Sequence, residues 1–548
     1  MKLMIKSIIE NYLKKIIKEP VAIEVFAPEQ EQFGHYSTSV ALKLAKEKKQ
    51  SPMEIANKIV SGVKGQPRRQ RVGAPTETSE MSDIVSKIEV VPPGFINFWI
   101  SPEALQDELK EILKKKEKYG RLNVKGKISK VQLEYVSANP TGPLTLANGR
   151  GGFFGDVLSN ILEFSGCKIE REYYVNDTGN QIFTLGRSIL ALRGLIDSEE
   201  KFYKGQYLKK WAEGKSALIK RFANNPLKLG QLAAKDFLAE IKKVLNKGAD
   251  ICFDRWTSED KHIHKKSFIT KTMEVFNRTG LVYEKEGAVW LKTSKYGDDK
   301  DRVLITSDGL PTYFLADAGH FLETKSRGFN SKIMILGPDH YGYVKRIQAA
   351  AKIIGLEKLE IIITQAVRLI KDNQEVKMSK RKGEFVAFEE LLKEVGKDIA
   401  RFFFLMHSPD SHMDFDLSLA KEQSMKNPVY YLQYAAVRAQ SILNKSNVKN
   451  KMSNANLNLL NTPEDINLMR LLARFPESVE ESRNKYSPQI LARYSLDLAR
   501  EFHNFYERER IIGEAPELAV ARLQLIKAVR IVFGNLFNLL DVSYPKKM

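Results

Sequence analysis

The feature that most constrains this chain is a repeated order of apolar run, turn and helix between residues 119 and 385. Four apolar runs in that region are strand candidates: 130–137, 167–175, 331–337 and 359–367. Helical periodicity separates them, for example at 149–165 and 341–354. Strands that alternate with helices in this way form a parallel sheet with helices on both faces. The sequence therefore predicts a Rossmann-type doubly wound α/β domain.

The segments before and after this region have other patterns. A chain of 548 residues exceeds the length that a single core supports. We predict three domains, at 1–118, 119–425 and 426–548. The first mixes helices with a strand pair and is α+β, whereas the last repeats apolar residues only at helical spacing and is an all-α helical bundle. A Lys-rich stretch from about 185 to 300 is interpreted as an insertion, and residues 62–83 as a mobile loop.

Composition narrows the class of protein and its compartment. The 87 Lys and Arg residues exceed the 67 Asp and Glu residues by 20, which favours a nucleic-acid partner; the Lys usage of an AT-rich genome is the alternative. Cys167 and Cys252 lack disulfide or zinc spacing, so we expect a reducing compartment and no metal ligands. Without an uninterrupted apolar run of 18 residues, we expect a cytoplasmic protein with no membrane partner.

Turn formers and small residues connect the first strand candidate to the first helix of this region. They read "SANPTGPLTLANGRGG" at 137–152. In a doubly wound sheet ligands bind beyond the carboxyl ends of the strands, and a helix N-terminus there offers unpaired N–H groups to phosphate. The run fits neither the Walker pattern nor G-x-G-x-x-G. We therefore predict that a ligand approaches the backbone closely here.

A second stretch of interest is basic: "VKMSKRKGEFV" at 376–386, which follows the fourth strand candidate. Its ammonium and guanidinium groups surround a Ser and a Gly. Clustered cations on such a loop can follow a phosphate chain and neutralise charge that develops during transfer. A solvated loop in a Lys-rich chain is the alternative, and the position beside the fourth strand favours the phosphate interpretation.

Taken together and in this order, these stretches resemble the two signature motifs, HIGH and KMSK, of class I aminoacyl-tRNA synthetases. The more specific resemblance is to arginyl-tRNA synthetases. It includes "YYVNDTGNQ" (173–181), "SDGLPTYFLADAGH" (307–320), "GPDHYGYVKR" (337–346), the stretch at 408–439 and the tail "LLDVSYPKKM". The resemblance covers nearly the whole chain and is weakest at 62–83 and in parts of 185–300.

The resemblance implies a reaction, its substrates and its partners. The expected reaction joins L-arginine to tRNA(Arg) through an arginyl-adenylate, with ATP and Mg²⁺, in a monomeric enzyme. In this family tRNA must be bound before arginine is activated. The first domain is expected to reach the tRNA elbow and the last to bind the anticodon. Exposed aromatics among basic residues suit single-stranded bases.

The same resemblance assigns roles to residues that match the family motifs. The expected catalytic residues are Lys380, Lys377, Thr145 and Asn148. The expected ATP-binding residues are Thr145, Ala147, Asn148, Gly149, Gly337, Asp339, His340, Met378, Ser379 and Lys380. The expected arginine-binding residues are Glu134, Asn139, Tyr313 and Asp317. The expected tRNA-binding residues are Tyr431, Tyr434, Tyr506 and Met548. The alternatives are a surface carboxylate at Asp317, an ordinary capped turn at Asp339 and core packing for the bundle aromatics.

The first signature departs from the family pattern. The usual H-x-G-H is Thr145-Leu146-Ala147-Asn148 here, so both imidazoles are missing. Thr and Asn can still donate hydrogen bonds to ATP oxygens but cannot carry positive charge. A similar T-x-G-N variant occurs in tryptophanyl relatives. Two other hypotheses therefore stay open: a non-catalytic tRNA-binding paralogue, and a sister class I enzyme for another amino acid.

Overall fold

The computed structural model describes residues 4–28, 30–64, 81–122, 129–376, 387–446, 455–511 and 513–548. The N-terminal elements are α1 (Ile5–Ile16), β1 (Val25–Phe26), β2 (Tyr36–Thr38), α2 (Val40–Lys48), α3 (Pro52–Lys64), α4 (Met81–Ile84), β3 (Val85–Val91), β4 (Phe95–Ile100) and α5 (Pro102–Lys115). The four strands form an antiparallel sheet in the order β1-β2-β4-β3. The α+β prediction is confirmed.

Part of the predicted 62–83 loop lies outside the described residues, at 65–80. Its two described ends are helical, because 62–64 completes α3 and Met81 begins α4. The prediction of a loop is therefore wrong at both ends of that range.

The central region contains the predicted doubly wound sheet. Its first half comprises β5 (Lys130–Glu134), α6 (Leu146–Phe164), β6 (Lys168–Val175), α7 (Gly179–Leu192), α8 (Gln206–Glu213), α9 (Ser216–Arg221), α10 (Pro226–Lys243), β7 (Arg255–Ser258) and α11 (Phe268–Arg278). A small antiparallel sheet follows, made of β8 (Val282–Lys285), β9 (Ala288–Leu291) and β10 (Arg302–Ile305).

The second half of this region completes the parallel sheet. It comprises α12 (Tyr313–Ser326), β11 (Ser331–Leu336), α13 (Val344–Ile354), β12 (Lys358–Ile363), β13 (Val367–Lys371), β14 (Gln374–Glu375), α14 (Phe388–Val395), α15 (Lys397–Leu405), β15 (Met413–Asp416) and α16 (Leu417–Lys421). The sheet runs in the order β12-β11-β5-β6-β7, and every neighbouring pair is parallel. One edge strand, β7, comes from the stretch predicted as a helical insertion.

The remaining described residues after 426 are helical. The helices are α17 (Pro428–Lys445), α18 (Pro463–Ala473), α19 (Phe475–Asn484), α20 (Gln489–Arg508) and α21 (Pro516–Leu540). Within the described chain, α21 alone is long and apolar enough to cross a membrane. About 72% of its most apolar window is buried inside the protein, as in the core helix of a bundle.

The two faces of the central parallel sheet differ in polarity. On β5, Leu133 lies on the apolar face, and Tyr135, just past the strand, packs against α6. The intervening Gln132 and Glu134 lie on the face that α12 covers, where Thr324 of α12 donates a 2.8 Å hydrogen bond to Gln132. Parallel sheets are usually apolar on both faces. The sheet therefore carries a buried polar layer beneath α12.

Glycines on α6 let that helix pack closely on bulky aromatic neighbours. A Cβ built on Gly155 would lie 2.4 Å from Tyr135 Cγ, and one on Gly149 would lie 2.3 Å from the Phe388 ring. No side chain fits at those separations. Part of the small-residue pattern that led us to expect a ligand at the backbone thus serves aromatic packing instead.

We predict that Gly155→Ala lowers the midpoint of thermal unfolding, because the added methyl overpacks against Tyr135 at a cost of about 1–3 kcal/mol. Gly534→Ala in α21 is the matched control, since a Cβ at that helical position would have no described heavy atom within 4 Å apart from its chain neighbours and the backbone of its own helix. It should leave the midpoint unchanged or raise it, because Ala favours helices over Gly by roughly 0.5–1 kcal/mol. Equal midpoints for the two variants would contradict the packing account.

Candidate active site

A cavity of about 1190 Å³ opens at the carboxyl ends of β5, β6 and β11. Ten residues for which the sequence predicts ligand contacts lie on its wall: Glu134, Asn139, Thr145, Ala147, Asn148, Tyr313, Asp317, Gly337, Asp339 and His340. They come from segments up to about 200 residues apart in the chain. The fold thus brings the predicted nucleotide and amino-acid residues into one cavity, at the place where doubly wound sheets bind ligands.

One predicted site residue, Gly149, stands apart from this wall, and four others cannot be placed on it or away from it. Gly149 packs on Phe388, so its small size serves helix packing. Lys377, Met378, Ser379 and Lys380 lie outside the described residues. The chain resumes at Ala387, which bridges Thr145, and the Phe388 amide donates to the Leu144 carbonyl at 2.9 Å. The two residues that follow the second signature stretch are therefore anchored directly on the first stretch.

The backbone turns sharply where β5 ends. Val136 and Ser137 have φ values of 66° and 36°, a left-handed conformation that is unusual for a β-branched residue. The turn directs Ser137 Oγ back to Glu134, where it donates to Oε1 at 3.1 Å, and it accepts the Tyr174 amide at 3.0 Å. Tyr173 holds the next residue by donating to the Ala138 carbonyl at 2.7 Å. The strained turn thus fixes one oxygen of Glu134.

Thr145 and Asn148 form a capping box at the start of α6. The Thr145 amide and hydroxyl each lie 2.9 Å from Asn148 Oδ1, and the Asn148 amide reaches Thr145 Oγ1 at 3.4 Å. The Thr145 hydroxyl proton is therefore already donated within the helix cap. No described residue accepts a hydrogen bond from Asn148 Nδ2, so its N–H groups are available to a ligand. The T-x-x-N spacing could have revealed this cap from the sequence.

Asp317 is a half-buried carboxyl group that faces the cavity. Tyr343 donates to its Oδ2 at 2.8 Å. Burial raises the pKa of Asp317 to about 7, and nearby Glu259 and Glu134 add to that effect. Tyr343 and His320 act in the opposite direction and lower the pKa. Since no cation pairs with Asp317 within the described chain, this end of the cavity is suited to an organic cation.

Tyr313 lies one helical turn from Asp317, as the sequence predicts. It is the first residue of α12, after Thr312, whose side chain caps the helix by accepting from the Leu315 amide. Its side chain is 58% exposed and stands at the cavity mouth. A polar ring at that position can close over a bound ligand.

Several wall residues were given no role from the sequence. They are Tyr174, Glu259, His320, Tyr343, Tyr203 and Tyr207. Tyr174 lies in a family stretch that was recognised without a residue assignment. Tyr203 and Tyr207 belong to the predicted insertion, and Tyr207 donates to the Thr141 carbonyl at 2.9 Å. The insertion therefore closes one side of the cavity, which no local sequence signal indicates.

A buried cluster behind the cavity has the residue types of a metal site. Ligand atoms of Glu134, Glu172 and His320 lie within 4.8 Å of one another. The Lys332 ammonium lies among them, 2.9 Å from Glu134 Oε2 and 2.8 Å from Glu172 Oε2. A lysine occupies the position of a cation, so this donor set does not fit a metal ion.

Three of the predicted tRNA-binding residues form one aromatic group between α17 and α20. His503 lies 5.0 Å from Tyr431 and 5.7 Å from Tyr434, measured between ring centroids. The Arg438 guanidinium covers Tyr434 and Tyr506 at 5.3 and 4.1 Å. The tyrosines are half-buried, and Met548 is 44% exposed at the C-terminus. Their contact with RNA stays a prediction.

The sheet has the parallel order β12-β11-β5-β6-β7, and Phe388, just after the second signature stretch, is bonded to Leu144 of the first stretch beside the cavity. This is the organisation of a class I aminoacyl-tRNA synthetase. Family models match in the same order along the chain: the arginyl tRNA synthetase N-terminal domain at 3–100, the catalytic domain of class I (R) tRNA synthetases at 108–403, and the DALR anticodon-binding domain at 432–548.

Individual relatives agree with these family models. The arginine–tRNA ligase of Carboxydothermus hydrogenoformans is 38% identical over 97% of this chain and 95% of its own length. The arginine–tRNA ligase of Desulfosudis oleivorans is 40% identical over 96% of this chain and 95% of its own length. The Thermus thermophilus arginyl-tRNA synthetase structure has the same fold, with a TM-score of 0.77 at 20% identity over both whole chains. The chain belongs to the arginyl-tRNA synthetase family.

We predict that Thr145→Ala lowers the midpoint of thermal unfolding, because the first turn of α6 loses its cap at a cost of about 1 kcal/mol. Thr145→Ser keeps the hydroxyl and should retain the wild-type midpoint. Calorimetry of the three proteins measures the difference. If the Ala and Ser variants unfold at the same temperature, the capping box contributes nothing to α6.

Proposed function

We propose that this chain ligates L-arginine to tRNA(Arg) with ATP, through an arginyl-adenylate, and releases AMP and pyrophosphate. The observation that carries the proposal is the cavity itself, where Asp317 and Glu134 face the same space as the first signature. Carboxylates in such a position suit a guanidinium and an ammonium on one ligand. A family in which relatives are named arginine–tRNA ligase supports the same substrate.

Both chemical steps depend on alignment and charge stabilisation. The arginine carboxylate attacks the α-phosphate and expels pyrophosphate, and a ribose hydroxyl of the tRNA then takes the arginyl group. Neither step needs a covalent bond to the protein. We assign stabilisation of the pentacoordinate phosphate to Lys380, with Lys377 assisting. Lys380 lies seven positions before the anchored Ala387, a span of at most roughly 25 Å, so the chain can reach the first signature.

ATP would lie along the first signature, with Asn148 Nδ2 donating to its oxygens and Asp339 accepting from its ribose. Mg²⁺ fits this arrangement only as part of the ATP complex. The described residues of the first signature offer neutral donors, and Mg²⁺ commonly keeps its phosphate and water ligands. The buried carboxylate cluster holds Lys332 and does not compete for the ion.

We further propose a cytoplasmic monomer that binds tRNA through its outer domains. One chain supplies every described wall of the cavity, so a second subunit is not needed to complete it. The two cysteines are free, which agrees with a reducing compartment. The aromatic group of Tyr431, Tyr434 and Tyr506 beside Arg438 would stack on anticodon bases.

Pyrophosphate exchange tests the function and separates the alternatives. Exchange would be measured with each of several amino acids, with and without bulk tRNA. We expect exchange with arginine alone, and only when tRNA is present. Exchange with another amino acid would favour a sister class I enzyme. No exchange under any condition, with tRNA binding retained, would favour a non-catalytic tRNA-binding paralogue.

We predict that Lys380→Ala slows arginine-dependent exchange by about 10²- to 10³-fold, as expected for loss of one transition-state donor. Lys371→Ala, which removes an ammonium at the exposed end of β13, is the charge-matched control and should exchange at the wild-type rate. An exchange rate for Lys380→Ala within about threefold of wild type would reject the assigned role.

We predict that the KM for arginine rises as pH falls below about 7. Asp317, with its pKa raised to about 7, must lose its proton to accept a guanidinium. For a single ionisation the KM can rise by at most about tenfold for each unit of pH below the pKa, and it should change little above pH 8. Asp317→Asn should bind arginine weakly and without this dependence. If wild type and Asp317→Asn gave parallel profiles between pH 6 and pH 8, another group would be responsible.

A further inference from the structure

Lys332 is a lysine buried in the middle of the central sheet. It lies on β11, is 0% exposed and points into the polar layer under α12. Its Nζ donates to Gln132 Oε1 at 2.6 Å and to Glu172 Oε2 at 2.8 Å, and pairs with Glu134 Oε2 at 2.9 Å. A buried ammonium needs such partners, because an unpaired one is very costly.

Other groups hold the partners of Lys332 in place. Thr324 donates to the same Gln132 oxygen at 2.8 Å, and His320 Nε2 lies 3.0 Å from Glu172 Oε2. Thr257 donates to the other Glu172 oxygen at 2.5 Å. Glu172 therefore has both oxygens engaged behind the cavity. The ammonium is fixed from two sides, on Gln132 and on Glu172.

Glu134 is the member of this network that links it to the ligand. Of Glu134, Glu172, His320 and Lys332, only Glu134 and His320 line the cavity. Glu134 Oε2 faces the ammonium, while Oε1 accepts from Ser137. The position of the carboxylate is thus set from both ends, and Lys332 acts on the cavity through it.

The charges of this group explain why the ammonium matters. Ionised Glu134 and Glu172 with Lys332 carry a net charge of −1. Burial works against a charged lysine, but Glu134 and Glu172 outweigh it and raise the pKa of Lys332, while Lys332 and His320 keep the pKa of Glu172 well below its usual range. Arg255 and Arg327 also lie 3.8 Å from Glu172, but on its other oxygen, Oε1. Without the ammonium, the carboxylates of Glu134 and Glu172 would therefore repel each other directly.

We propose that Lys332 is a positioning residue for amino-acid binding: it orients the Glu134 carboxylate so that Glu134 can accept a cationic group of the substrate. This inference rests on the proposed function. It has an unexpected consequence, since removal of a positive charge near the site weakens binding of a cationic amino acid. An argument from the local electrostatic potential alone predicts the reverse, that loss of a nearby positive charge strengthens arginine binding.

The test compares Lys332→Met with wild type in tRNA-dependent pyrophosphate exchange. We expect the KM for arginine to rise roughly 10- to 100-fold, the range for removing the partner of a buried charged group, with the KM for ATP within about twofold. Lys325→Met is the matched control. It removes an ammonium of α12 that donates to the Ile354 carbonyl, away from Glu134, and should keep the wild-type KM for arginine.

A second variant separates charge from packing. Lys332→Met/Glu172→Gln restores the net charge of −1 and should recover part of the arginine KM, whereas a cavity or folding defect would not recover. If Lys332→Met does not fold, the double variant is compared with Glu172→Gln alone, and we expect a KM at least about threefold higher in the double variant.

Two results keep the hypotheses apart. If wild type shows no arginine-dependent exchange, the proposed function fails. If wild type is active and Lys332→Met keeps its arginine KM within about twofold, Lys332 does not position Glu134. The same conclusion follows if kcat, the KM for ATP and the KM for arginine all worsen to the same extent and the double variant recovers none of them.

Discussion

Burial of charge between the central sheet and α12 is the constraint on which the rest of this site depends. A parallel sheet normally meets its helices through apolar side chains. Here Lys332 and Glu172 lie in that layer, and the layer extends along α12 to Arg327, which contacts Glu170 at 2.7 Å. Buried ions require directed partners, so the layer allows only one relation between helix and strands. Asp317, on the same helix, thereby lines the cavity that Glu134 also lines.

The opposite face of the sheet is held by apolar packing. There α6 packs through glycines on Tyr135 and on Phe388, which lies two residues after the second signature stretch. Apolar contact is tolerant of direction but sensitive to volume, which suits the joining of distant chain segments. The polar face orients the amino-acid end of the cavity, and the apolar face brings the two signatures together. The sheet thus separates two tasks between its faces.

Sequence periodicity was sufficient for the architecture because it reports burial. Apolar runs such as 331–337 gave the parallel strands, and helical spacing after 426 gave the bundle. The four residues of β7 were missed because so short a strand has no period inside a charged, helical stretch. The polar layer was missed for another reason: Gln132 and Glu134 alternate with apolar residues as on a solvent-facing strand, and only the tertiary position of α12 shows that they are buried. The capping role of Thr145 could have been predicted from the T-x-x-N spacing, but the same residues were interpreted as nucleotide-binding instead.

The altered first signature has a consequence for how charge is handled in the proposed reaction. Imidazoles could share positive charge with the lysines of the second signature, but Thr145 and Asn148 are neutral, and their hydrogen bonds with each other already occupy the Thr hydroxyl. Asn148 Nδ2 can orient ATP without balancing its charge. Neutralisation of the departing pyrophosphate then falls to the ammonium groups after Val376. A neutral signature is compatible with catalysis as long as those lysines are intact, which is the combination that this sequence has.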